Sequence, residues 1–254
     1  MTDYRGGCQL LFPHAGAAGT VDGEWNAFHG IASRMPWRVV DIAPASASLR
    51  LDLPQRGLRV DRCVHLRGAE VVIEDEVVGT GDRSATYRLG QHPAFGGDLV
   101  RGILDVSIAA ERVTVHSVHP DHVLTRPRVI TSGSTDFSGG FSVRGDFASP
   151  RRFLSGHFDR LQTGRATVTN LDNGLGVVLS WDSGALPHAW LWVESGATTQ
   201  WPWFGQGRVI GIEPCTHPLG ARPEDACHID PGERRVYRVS FTISHDANVA
   251  GGCR

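Results

Sequence analysis

Arg235-Val-Tyr-Arg-Val-Ser-Phe-Thr-Ile243 decides the fold. Val236, Arg238, Ser240 and Thr242 alternate with Tyr237, Val239, Phe241 and Ile243. A period of two puts successive side chains on opposite faces, so this stretch predicts a strand with one apolar face. The same signal recurs upstream at short spacing. His188-Ala-Trp-Leu-Trp-Val-Glu194 alternates, and Glu70 to Val78 reads as a strand following Leu58 to Leu66 across an Arg67-Gly68 turn. Val168 to Trp181 holds an Asn173-Gly174 pair between apolar runs, which predicts a hairpin. Ile103 to Ile108 and Val113 to Val118 read as two strands either side of Ala109-Ala-Glu-Arg112. Leu10-Leu-Phe12 and Trp37 to Val40 are further strands, Thr86 to Leu89 leads into a loop around His92, and Asp136 to Gly145 is a loop. Few windows carry a helical period, and 31 glycines and 14 prolines are spread throughout. The pattern predicts an all-β chain, a large antiparallel sandwich forming a single domain over residues 1–254.

Composition removes several function classes. The net charge of −2 gives no electrostatic reason to expect a nucleic-acid or acidic-membrane partner. All 25 basic residues are arginine. Without lysine there is no Schiff-base chemistry, no covalently held pyridoxal phosphate and no Walker-type phosphate loop. The five cysteines, Cys8, Cys63, Cys215, Cys227 and Cys253, are odd in number and scattered, unlike a secreted disulfide framework. No apolar run reaches membrane-spanning length, and Met1 to Gly7 lacks a signal-peptide core, so a cytoplasmic location is expected.

Two stretches carry acid–base residues. In Arg208-Val-Ile-Gly-Ile-Glu-Pro-Cys215, Glu213 sits at the end of an apolar run, and Pro214, with no N–H to give, is expected to stop the pairing there. In Gly90-Gln-His-Pro-Ala-Phe-Gly96, His92 also precedes a proline. A carboxylate and an imidazole together can take and give protons near neutral pH. His29 is followed by Gly30, which permits a close backbone approach to a ligand. Of the clustered tryptophans, Trp201 and Trp203 lie in a loop leading to the Glu213 strand and are the candidates to cover an apolar face of a bound ligand. Trp181, Trp190 and Trp192 read as core. Arg34 is a candidate for a hydroxyl or phosphate contact. His116, His119, Asp121 and His122 have metal-type chemistry, but residues three apart on a strand face opposite sides. Cys215 and His217 with Cys227 and His228 lack zinc-site spacing, and no metal or cofactor is expected. Cys215 reads as a small buried thiol.

Taken in order, Leu11-Phe-Pro13, His29-Gly-Ile-Ala-Ser-Arg-Met-Pro-Trp37, Gly90 to Gly96, Gly211-Ile-Glu-Pro-Cys-Thr216 and Pro231 to Val239 resemble the aldose 1-epimerase (galactose mutarotase-like) family. The resemblance implies a β-supersandwich and the interconversion of sugar anomers. It implies that Glu213 takes the proton of the anomeric hydroxyl, that His92 protonates the ring oxygen, and that His29 contacts sugar oxygens. The partner would be a small sugar or sugar phosphate.

The chain departs from that pattern in three places. Nothing basic but His14 stands between Phe12 and His29, where galactose mutarotases carry an arginine. Glu213 is followed by Pro-Cys, where Thr-Gln is usual. The Phe-Pro segment comes almost at the start, so either the gene start is misplaced or the sandwich lacks N-terminal edge strands, and with an open edge copies of the chain are expected to associate or to be poorly soluble. Two other readings compete: a non-catalytic carbohydrate-binding or sensing protein on the same sandwich, and a polysaccharide lyase or hydrolase relative. The last would want a second carboxylate across a cleft from Glu213, and the sequence offers none.

Overall fold

The computed structural model describes residues 7–21, 23–118, 122–131, 141–146 and 152–245. The strands in chain order are β1 (Cys8–Leu11), β2 (Gly19–Val21), β3 (Glu24–Asn26), β4 (Arg38–Ala43), β5 (Ser46–Leu53), β6 (Leu58–Arg67), β7 (Glu70–Gly79), β8 (Ala85–Tyr87) and β9 (Gly90–Phe95). They continue as β10 (Ile103–Val118), β11 (His122–Thr131), β12 (Phe141–Asp146), β13 (Arg152–Asn170), β14 (Leu175–Trp181), β15 (His188–Ser195), β16 (Arg208–Cys215), β17 (Cys227–Ile229) and β18 (Arg234–His245). Fourteen of them form one antiparallel sheet in the order β1-β9-β16-β15-β13-β14-β18-β7-β6-β5-β4, with β10, β11 and β12 branching from β13. Among the described residues no helix is long and apolar enough to cross a membrane.

The sheet folds over its own apolar face. Four strands lie between β9 and β18 in the order, yet Phe95 and Phe241 meet at 6.1 Å between ring centroids. Leu10, Phe12, Leu51, Val60, Ile73, Tyr87, Leu104, Leu179, Leu191, Ile210, Ile212 and Val239 fill the space between the two halves. The alternation in β18 does this as the sequence predicts: Tyr237 and Val239 are 3% and 0% exposed. Ile243, on the same face, is exposed because the strand outruns the core there.

One buried polar group crosses this core. Arg62 on β6 grips Asp75 on β7 with two hydrogen bonds, 2.7 and 2.8 Å, and also donates to Gln91 Oε1 on β9 at 3.2 Å. Gln91 in turn donates to Asp75, and the Arg62 guanidinium lies over the Trp37 ring. Buried charge is tolerated when paired and fully hydrogen-bonded, and here the pairing ties the strand that carries His92 to the opposite half of the sandwich.

Three expectations change in the folded chain. Ile103 to Val118 is one strand, not two, because the register against β13 shifts between Ile108 and Ala110. That irregularity absorbs the break in period that read as a gap, a bulge-like device. The Asn173-Gly174 pair does close the β13–β14 hairpin, with Gly174 at φ +74 and its N–H donating to Asn170 O, over a loop longer than a two-residue turn. Phe141–Asp146, inside the stretch read as a loop, is β12, paired with β10; residues 136–140 lie outside the described residues.

Candidate active site

β15 shows how the site is made. Ala189, Leu191 and Val193 face the core, so His188, Trp190, Trp192 and Glu194 face the other side of the sheet. Trp190 pairs across β16 with Glu213, and Trp192 with Gly211. β16 meets β9 with Ile210 opposite Phe95, Gly211 opposite Ala94 and Cys215 opposite Gly90. The register is the same at both ends, which sets Glu213 opposite His92. Across the sheet this row reads Gln9, His92, Glu213, Trp190, His157 and Thr114.

Neither proline ends its strand. β16 keeps pairing with β15 through Pro214 and Cys215, and His92 lies within β9 rather than in a loop. What lapses is the β16–β9 ladder between Gly211 and Cys215, where Pro93 and Pro214 bring no N–H. The missing bonds therefore fall in the gap between the two strands that carry His92 and Glu213.

His92 Nε2 stands 3.4 Å from Glu213 Oε1, at the long edge of hydrogen bonding. Both residues are buried, at 5% and 3% exposure. Glu213 Oε2 has no hydrogen-bond partner among the described residues. Burial raises the Glu213 pKa above the usual carboxylate range, and the nearby His92 offsets part of that rise. The site thus holds a carboxyl group with one oxygen uncommitted and a raised proton affinity, beside an imidazole.

His29 joins them from the segment between β3 and β4. Its ring centroid is 5.7 Å from that of His92 and 6.3 Å from the Trp190 ring. Its backbone N–H donates to Gly16 O, and Gly16 N–H donates back to His29 Nδ1 at 3.2 Å. Burial first, then the proximity of His92, His14 and Arg34, lowers its pKa to about 3. The ring is therefore neutral near pH 7, and with Nδ1 accepting, its proton sits on Nε2 as a donor. Gly30 has a different role from the one its neighbourhood suggests. It sits at φ +72, and a Cβ there would fall 2.4 Å from Phe12 O, so its bareness admits the chain's own backbone rather than a ligand.

The remaining candidates divide. Trp203 packs on Trp192 at 5.5 Å, and Trp192 on His92 at 5.7 Å, so Trp203 reaches the site through Trp192. Trp201 is 61% exposed and meets Phe204 edge to face, and no ring contact joins it to the site among the described residues. Arg34 is exposed, and its charge is felt at His29. Cys215 is fully buried in a small cluster with Leu11, Ala15 and Trp190, where burial pushes the thiol pKa well up and removes it as a nucleophile. Cys227 lies elsewhere, on β17 paired with β8. His116 hydrogen-bonds His157 on β13; His119, Asp121 and the side chain of His122 lie outside what is described. Among the described residues no three His, Cys, Asp or Glu side chains are grouped to hold a metal ion.

Trp190 and Trp192 are buried, at 3% and 7% exposure, as a core reading expects, but on the face of the sheet that carries Glu213, where Trp192 lies against His92. The period-two pattern from His188 could have found them, since it places both on the face opposite Leu191.

The fold defines a class. The chain has the galactose mutarotase-like fold, shared with solved structures of low sequence identity. Slr1438 from Synechocystis sp. PCC 6803 matches with a TM-score of 0.72 at 20% identity, over 95% of this chain and 79% of that one. A galactose mutarotase related enzyme from Lactobacillus acidophilus matches at 0.67 and 16%, over 93% and 82%. The GalM/aldose epimerase homologue from C. elegans matches at 0.66 and 15%, over 93% and 82%. The family model described as a domain of unknown function, DUF4432, matches residues 11–243, and the chain belongs to that family. No curated protein matches it.

Proposed function

We propose that this protein is an aldose-1-epimerase-like mutarotase, interconverting the anomers of a sugar or sugar phosphate. The observation that carries the reading is the placement of His92 directly opposite Glu213, with Nε2 and Oε1 3.4 Å apart and Oε2 uncommitted. The oxygens of an aldose that must exchange protons, the anomeric hydroxyl and the ring oxygen, share one carbon. Two groups set side by side can serve both.

In this reading Glu213 takes the proton of the anomeric hydroxyl while His92 gives one to the ring oxygen. The bond from the anomeric carbon to the ring oxygen breaks, leaving an open-chain aldehyde and a new hydroxyl. Rotation about the adjoining carbon–carbon bond presents the other face of the carbonyl. The hydroxyl adds back as His92 recovers its proton and Glu213 returns the one it holds. The raised proton affinity of Glu213 suits it to this exchange, because a base works best with a pKa near the working pH. His29 Nε2–H donates to a sugar hydroxyl, and Trp192 backed by Trp203 covers an apolar sugar face. The names of the fold neighbours, a mutarotase related enzyme and an aldose epimerase homologue, point to the same class of chemistry.

The test is exchange NMR between α and β anomers across aldoses and aldose phosphates. Faster exchange of at least one sugar at catalytic protein concentration is expected. A sugar that binds with its exchange unchanged would make this a binding protein.

A further inference from the structure

A second polar group occupies the same face, one row along from the acid–base pair. Asp159 on β13 lies opposite Arg112 on β10, and its neighbour Phe158 pairs with Ala189, which sets Asp159 beside His188 on β15. Asp159 Oδ1 is 2.7 Å from His188 Nδ1. Asp159 Oδ2 accepts from Arg112 Nε at 2.9 Å and stands 3.3 Å from His157 Nε2, whose Nδ1 is 2.9 Å from His116 Nε2. The carboxylate is 3% exposed. Burial alone would raise its pKa, but the hydrogen bonds from His157, His188 and Arg112 hold it far below the usual range. It is ionised, so His188 must present Nδ1–H to it.

That fixes the other end of the ring. With Nδ1 committed, the free heteroatom of His188 is Nε2, which makes no hydrogen bond among the described residues. The His188 side chain is 23% exposed while Asp159 and His157 are 4% and 8%, so the imidazole stays accessible beside a buried carboxylate, as Arg112 does on the other side at 41%. His188 pairs with Cys215, two residues from Glu213, and diagonal neighbours on one face of an antiparallel pair lie about 7–8 Å apart. A pyranose whose anomeric centre sits at Glu213 reaches that far with the hydroxyls on the other side of its ring.

Resting on the sugar-site reading above, we propose that His188, held by Asp159, is a specificity-determining residue whose Nε2 reads one hydroxyl of the sugar remote from the anomeric carbon. Arg112 and His157 are positioning residues: they keep Asp159 charged and aligned. The orientation resembles that of a catalytic Asp–His pair, but the task is recognition, since His92 and Glu213 already supply the proton transfers.

The experiment compares wild type with His188→Ala on D-glucose, D-galactose and their 2-, 3-, 4- and 6-deoxy derivatives, by anomer-exchange kcat/KM. Wild type should lose about tenfold on one deoxy sugar, the net worth of one hydrogen bond at a partly exposed group. His188→Ala should lose the same factor on the parent sugar and nothing more on that deoxy sugar. An equal loss on every sugar, as a structural role would give, or no loss, overturns the proposal. Should the variant fold poorly, the ¹⁵N resonances of the His188 ring in the wild-type protein decide: Nε2 should move on adding D-glucose or D-galactose while Nδ1 stays. A moving Nε2 without accelerated exchange leaves this proposal standing and ends the mutarotase reading. Accelerated exchange with a silent Nε2 does the reverse, and neither response to any sugar ends both.

Discussion

Glu213→Gln should slow the protein and stabilise it at the same time. The side chain is 3% exposed, and among the described residues its Oε2 accepts no hydrogen bond and His92 Nε2, at 3.4 Å, is the only cation-capable group within ion-pair range. Burial raises its pKa above the usual 4.5. The folded state therefore keeps a proton that the unfolded chain gives up. The stability this contributes is full below about 4.5 and declines as pH rises through the folded value, so near pH 7 the buried carboxyl is a net cost. Glutamine keeps the volume and removes the charge. An unsatisfied buried acceptor costs about 1–3 kcal/mol and a charged one more, so the gain is on the order of 1 kcal/mol. For a chain of 254 residues that is about 2–4 °C in Tm. Loss of a general base should slow anomer exchange by at least ~10²-fold, about 2.7 kcal/mol of barrier. Thermal melts from pH 4 to 8 and NMR exchange rates check both halves. The Tm gain should vanish near pH 4. Unimpaired exchange would remove Glu213 as the base, and a variant less stable than wild type at pH 7 would make the His92–Glu213 contact a structural ion pair.

Asp75→Asn leaves Arg62 charged and unmatched in the core and should cost about 3–5 kcal/mol, read as a drop of about 6–20 °C in Tm. Gly30→Ala forces a left-handed backbone and drives a Cβ onto Phe12 O, so it should cost about 2 kcal/mol or more by urea denaturation and reduce exchange through displacement of His29. His29 and His217 are both held neutral by burial, each with a pKa near 3 against 6.5 in the unfolded chain. Stability should therefore be present above 6.5 and fall as pH drops towards 3, and His217→Gln should flatten that fall in acid titrations followed by fluorescence. Trp203→Ala should weaken sugar binding by loosening Trp192 against His92, raising KM more than it lowers kcat, while Trp201→Ala should leave both near wild type.

Local pattern determined a good deal of this molecule. The alternation from Arg235 to Ile243 gave a strand and its buried face, and the same period in His188 to Glu194 separated Leu191 from Trp190. Side-chain direction along a strand depends only on sequence neighbours, which is why it can be read before folding. The ordered motifs also singled out His29, His92 and Glu213, which the folded chain brings together. Tertiary structure alone decided the rest. Pro214 reads as a stop, yet β15 holds the strand in place through it, and only the side towards β9 loses its bonds. Trp201 and Trp203 are indistinguishable in sequence, but one meets Trp192 and the other meets solvent. Asp159, His188 and Arg112 come from three strands whose adjacency no periodicity encodes. Register between strands distant in the chain is set by how the whole sheet closes on its core, and with it which charges and rings become neighbours.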